Sequence, residues 1–281
     1  MIPFDFDYFL PKTLQEAISL FQEQDKKGKK PYYYSGGTEL ITLARLNMAY
    51  TEAVIDLKKI PECRAMGFAD NVLVVGSSLS LTEIEEANHF PLLTQTASEV
   101  ADHTSRGKIT LGGNIGAKIF YREAVLPFLL ADSIAIIAGT EGITARKIGE
   151  AFNEKLQLKN GEFLVQLITE RKWIDAPFVH IKRRQQWETG YPLVTVAALK
   201  GGDGIRLAVS GFCPFPFRSE KMEAALNNEQ LGVEERVAAA LKVVPEPVLN
   251  DVEGSKEYRR FVLKNVLHDI LARLGGVGLK A

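Results

Sequence analysis

Two short passages set paired glycines between hydroxyl and amide side chains: Ser35-Gly36-Gly37-Thr38 and Thr110-Leu111-Gly112-Gly113-Asn114. A Gly-Gly step lets an anion come close to the main chain because no side chain stands in the way. Successive amides in such a turn form a nest for phosphate oxygens. A helix beginning directly behind the turn adds the field of its N-terminus. Ser35, Thr38, Thr110 and Asn114 supply further donors, and two such loops are enough to embrace one pyrophosphate. Paired glycines also serve simply to turn a chain, and at this level both readings stand.

Other chemistries find less support. Neither loop has the three spaced glycines of the dinucleotide fingerprint or the lysine that follows a phosphate-binding loop. His89, His103, His180 and His268 form no close pair and have no nucleophile beside them, which argues against a metal site or a hydrolytic triad. Cys63 and Cys213 stand far apart, outside any zinc or iron-sulfur spacing. Lys182-Arg183-Arg184 suits a phosphate or an acidic surface, and equally a solvated strand end.

The elements that must hold the loops are legible in part. Thr13-Leu14-Gln15-Glu16 has capping-box spacing and opens a helix from about Leu14. Tyr32-Tyr33-Tyr34 leads into the first loop as a strand, and Leu40, Ile41, Leu43, Ala44 and Leu46 predict a helix behind it. Residues 53–57 and 73–76 read as strands around a turn-rich stretch at 67–71. Ser80-Leu81-Thr82-Glu83 repeats the capping box, and a helical pattern covers 91–101. Residues 133–138 and 142–144 are strand-like. After Trp173 the pattern changes: 178–181, 193–199 and 205–209 read as three antiparallel strands, followed by helices over 219–226, 233–241 and 258–274. The expected class is α+β, with a boundary near Ile174.

At 281 residues the chain exceeds one ordinary domain. It is 46% hydrophobic and 25% charged, the balance of a globular protein. Lys plus Arg number 34 against 35 Asp plus Glu, which gives no sign of a nucleic-acid partner. The first residues lack a basic region followed by an apolar run, and no apolar stretch is long enough for a membrane span. A cytoplasmic protein is expected.

Taken in order along the chain, the motifs resemble the FAD-binding medium subunit of the molybdenum hydroxylases, the family of xanthine dehydrogenase and carbon monoxide dehydrogenase. The resemblance rests on Tyr34-Ser35-Gly36-Gly37-Thr38-Glu39-Leu40, Val54-Ile55-Asp56-Leu57 with Ile60-Pro61-Glu62, and Thr110-Leu111-Gly112-Gly113-Asn114-Ile115 with Pro127 and Leu129-Leu130. It continues through Lys182-Arg183-Arg184, Val196-Ala197-Ala198, Gly211 with Pro214, Asp251, Gly254-Ser255 and Tyr258-Arg259.

That resemblance implies a two-part FAD-binding domain of the vanillyl-alcohol-oxidase type over 1–173, split near residue 60. A C-terminal domain of antiparallel strands and helices would follow over 174–281. It implies FAD contacts at Ser35, Gly36, Gly37, Thr38, Glu39, Thr110, Leu111, Gly112, Gly113, Asn114 and Lys182. The acidic residue that fixes ribityl or ribose hydroxyls falls on Glu123, where this chain reads Ala117-Lys118-Ile119-Phe120-Tyr121-Arg122-Glu123 in place of the usual Ser-Pro stretch ending in Asp. An aromatic against the flavin falls on Tyr191, preceded by extra residues around Trp187. No residue of this chain need act as a general acid or base. The partners implied are a molybdopterin-binding large subunit and an iron-sulfur small subunit, with NAD+ as acceptor in a xanthine-dehydrogenase-like assembly. The competing readings are a carbon monoxide dehydrogenase-like complex with another acceptor, and an interaction subunit that has lost its flavin.

Overall fold

A computed structural model describes residues 2–185 and 190–275, so Trp187 lies outside the described residues. The N-terminal sheet is short and parallel. Ala53–Asp56 lies at its centre between Asp7–Phe9 and Pro31–Tyr34, and all four of its residues are buried, as a parallel strand covered on both faces requires. Helix Leu14–Lys26 packs on it through Ala17, Ile18 and Phe21. Thr13 caps that helix by accepting from Glu16 N, but the Glu16 carboxylate takes Lys12 N instead of the cap amide. Half of the expected capping box therefore forms.

The second sheet runs Met66–Ala69, Val72–Gly76, Phe163–Glu170, Ile134–Gly139, Gly142–Lys147, antiparallel throughout. Two of its strands depart from the sequence expectation. The turn-rich stretch at 67–71 is mostly the strand Met66–Ala69, and only Asp70, at φ 50°, with Asn71 makes the hairpin turn. The central strand Phe163–Glu170 has no simple alternation to betray it, because its two faces feed different cores. Leu164 and Leu167 join the large core, whereas Phe163 and Val165 join the N-terminal one. A bulge between Leu164 and Gln166 makes the switch and frees the Val165 carbonyl to accept from Ser77 N. The helix expected over 91–101 stops earlier, as Pro91–Ser98, and Ala101 sits at φ 49°.

The second capping box is complete: Ser80 Oγ accepts from Glu83 N, and Glu83 Oε2 accepts from Ser80 N at 2.8 Å. Arg64 grips both Glu83 oxygens. Chiefly through that Arg64 contact, against the opposing pull of burial and with help from Ser80, the Glu83 carboxyl falls from 4.5 to about 2. A depressed carboxyl stabilises the fold above its ordinary value, and that contribution disappears as pH drops through the folded value. Denaturant midpoints of the wild type should therefore decline between pH 4.5 and about 2 more steeply than those of Glu83→Gln. Parallel profiles would show that the contact contributes nothing.

The third sheet is antiparallel, Phe178–Arg184, Pro192–Gly201, Gly204–Ser210, with a short fourth strand, Phe217–Arg218, that the sequence did not mark. Alternation places Ala197, Leu199 and Ala208 in the large core with the second sheet. Val194, Val196, Ala198 and Val209 face helices Glu220–Leu226, Val233–Lys242 and Lys256–Leu274. Arg259, fully buried, ties this part together by donating to Leu193 O, Gly211 O and Asp251. No helix among the described residues is long and apolar enough to cross a membrane.

Candidate functional site

The first glycine loop leaves the end of strand Pro31–Tyr34 and enters helix Thr38–Arg45. Gly37 is the N-cap at φ 74°, a conformation that favours glycine, and a Cβ there would lie 2.3 Å from the Tyr34 ring. No side chain caps this helix, so its first-turn amides are left for an external acceptor. Ser35 Oγ is buried without a partner. The loop is held from below by Lys58, whose ammonium donates to Ser35 O at 2.9 Å and to Asp56 at 2.7 Å and lies 4.6 Å over the Tyr34 ring. Asp56, fully buried, also accepts from the Tyr8 hydroxyl, and burial together with this carboxylate pushes Tyr8 up to about 12.

The second loop opens helix Leu111–Gly116, capped by Thr110. Its amides are already spent inside the protein: Leu111 N on Leu79 O, Gly112 N on Ser77 O, Gly113 N on Thr110 Oγ1 and Asn114 N on Thr110 O. The amide nest expected of both glycine pairs is therefore available only at the first. What the second offers is side chains, the Thr110 hydroxyl hydrogen and the Asn114 amide nitrogen, whose Oδ1 accepts from Ala124 N at 3.0 Å. Its glycines serve packing, since a Cβ at Gly112 would meet Ser77 Cβ at 2.7 Å. The two loops touch. A Cβ on Gly36 would fall 2.0 Å from Lys108 O and 3.2 Å from Thr110 N.

Glu39, in the first turn behind the first loop, sends its carboxylate to Lys118 N and Ile119 N, both at 2.8 Å. Glu123 is 5% exposed and accepts from Lys182 Nζ at 2.7 Å and Thr195 Oγ1 at 2.6 Å. Lys182 also donates to Glu99 O. Burial raises the Glu99 carboxyl, but the neighbouring His180, Arg184 and Lys182 together bring it below its ordinary value. Tyr191, half exposed, stacks on Tyr121 at 4.7 Å and 14°, and burial, then Asp251 and Glu253, pushes Tyr121 up to about 12. The structure thus unites the two loops and Glu39 in one region and joins Glu123 to Lys182. Sequence reasoning missed the supports: Lys58, Ser77, Glu99, Arg122 and Thr195. Only Asp56 carried a signal, standing at the end of a recognised strand. Among the described residues no group of three His, Cys, Asp or Glu is placed to hold a metal.

A glycine turn at a sheet end, opening an uncapped helix and backed by a second glycine turn, is the geometry of a candidate phosphate-binding site. Residues 4–169 match the family described as the FAD binding domain in molybdopterin dehydrogenase. The nicotinate dehydrogenase FAD-subunit of Eubacterium barkeri is 24% identical over 97% of this chain and 98% of its own. The putative xanthine dehydrogenase FAD-binding subunit XdhB of Escherichia coli K12 is 27% identical over 97% and 99%. Among solved structures, a carbon monoxide dehydrogenase from Hydrogenophaga pseudoflava superposes with a TM-score of 0.85 at 22% identity, covering 98% of this chain and 99% of that one. The chain belongs to the family of FAD-binding domains of molybdopterin dehydrogenases, and its cofactor is FAD. The uncapped helix and the orphaned Ser35 hydroxyl fit the pyrophosphate of that cofactor.

Proposed function

We propose that this chain is the flavin subunit of a xanthine-dehydrogenase-like molybdenum hydroxylase. In that assembly a large subunit holds molybdopterin, a small subunit holds iron-sulfur clusters, and NAD+ takes the electrons in the cytoplasm. The observation that carries this reading is the end-to-end match to the putative xanthine dehydrogenase FAD-binding subunit of Escherichia coli K12; the sequence match to the carbon monoxide dehydrogenase medium chain of Hydrogenophaga pseudoflava covers 41% of this chain. When bound, FAD supplies the redox chemistry, and the work of this chain is to bind, orient and tune it. Ser35, Gly36, Gly37 and Thr38 would hold the pyrophosphate together with Thr110 and Asn114. Leu111, Gly112 and Gly113 shape the second wall. Glu123 and Lys182 would act on the cofactor through the charge of their buried pair, and Tyr191 would offer it an aromatic face.

The equally complete match to the nicotinate dehydrogenase subunit favours a second reading, with an N-heteroaromatic acid as the substrate of the complex. Purified complex should reduce NAD+ when given xanthine. Turnover of nicotinate or carbon monoxide alone, or turnover only with an acceptor other than NAD+, would replace this assignment.

A further inference from the structure

The structure assigns Glu39 a positioning role: its carboxylate is a clasp that locks residues 117–122 onto the helix behind the first glycine loop, and FAD affinity depends on it without direct contact. The inference rests on FAD as the ligand of the site. Residues 117–122 form neither helix nor strand, so their main-chain groups need partners from elsewhere. Glu39 satisfies two consecutive amides, Lys118 N and Ile119 N, one with each oxygen at 2.8 Å. Arg122, buried and at φ 38°, satisfies carbonyls from within, donating to Ala117 O and Glu154 O at 2.7 Å and to Lys118 O at 3.4 Å. One acid takes two of the amides and one base two of the carbonyls, while Ser210 Oγ donates to Tyr121 O and Ala117 N to Asn114 O. The segment ends at Glu123, which Lys182 and Thr195 fix in turn.

Electrostatics point the same way. An acid in the first turn suits the helix dipole, yet beside a pyrophosphate a loose carboxylate repels the ligand. Committing both oxygens to charge-assisted bonds with amides holds that charge away from the anion while still stabilising the helix. The clasp falls where the chain departs from the Ser-Pro stretch of the family it resembles, so the unusual sequence 117–123 is anchored from the first helix turn behind the glycine loop.

The test uses the full chain and two variants, Glu39→Ala and Glu39→Gln. Amide hydrogen exchange is measured without FAD, and FAD dissociation constants are measured separately. Without FAD, Lys118 and Ile119 should be protected in the wild type and exchange faster in Glu39→Ala. FAD affinity should drop about a hundredfold in Glu39→Ala and about tenfold in Glu39→Gln, which keeps one acceptor. Unchanged exchange at these two amides, or unchanged affinity in Glu39→Ala, overturns the clasp. So does a Glu39→Gln variant that loses as much affinity as Glu39→Ala while its amides stay protected, because that marks direct contact through charge. If Glu39→Ala does not fold, Glu39→Gln decides by the same two readouts. A wild type that fails to take up FAD refutes the cofactor reading and leaves the exchange result standing.

Discussion

Gly36→Ala is expected to lower FAD affinity by about a hundredfold or more, although alanine adds a single carbon atom. That atom would lie 2.0 Å from the Lys108 carbonyl oxygen, well inside contact distance and against backbone that has no rotamer to yield. Overpacking of this kind costs about 1–3 kcal/mol where the surroundings can shift, and the shift here would push apart the two loops proposed to hold the pyrophosphate. Gly67→Ala is the control, because a Cβ at Gly67 meets nothing within 4 Å. Flavin absorbance after gel filtration and the dissociation constant measure both. A Gly36→Ala protein that keeps stoichiometric FAD at wild-type affinity would show that the loops need not touch to bind.

Lys182→Met is expected to be the most destabilising change near the site. The two side chains of the Lys182–Glu123 pair are 1% and 6% exposed and 2.7 Å apart. Removing the ammonium leaves the Glu123 carboxylate buried with the Thr195 hydroxyl as its one hydrogen-bond partner among the described residues. Breaking one partner of such a pair costs about 3–5 kcal/mol, which for a chain of this size lowers the melting temperature by roughly 10 °C. Replacing both, as Lys182→Met with Glu123→Leu, should recover most of the loss, since a matched apolar pair carries no stranded charge. Calorimetry of the two proteins decides: equal melting temperatures would show that the stranded carboxylate is not the cause.

How much of this was legible beforehand depended on whether the signal was local. The Ser80–Glu83 capping box is written in four consecutive residues and forms as read. The helix behind Gly37 was visible because glycine punctuation and apolar spacing coincide there. The strand Phe163–Glu170 was not, because an element that serves two cores is apolar on both faces and loses the period that identifies strands. At the site the glycine loops announced themselves, yet their amides could be divided into free and spent only once Ser77 and Leu79 were seen beneath the second loop. Glu123 and Lys182 each drew attention singly. Their bond to one another depends on the third sheet lying against the first part of the chain, which no local pattern encodes.

The clasp between Glu39 and Lys118 spans 79 residues of chain, and the Gly36 contact with Lys108 nearly as many. Contacts of such range are won only after the entropy of closing the intervening loop has been spent. The site is therefore built from segments that lie far apart in the chain, and its assembly depends on the whole of the intervening stretch being in place. A fragment that ends before Lys108 carries the first glycine loop without the main chain that backs Gly36.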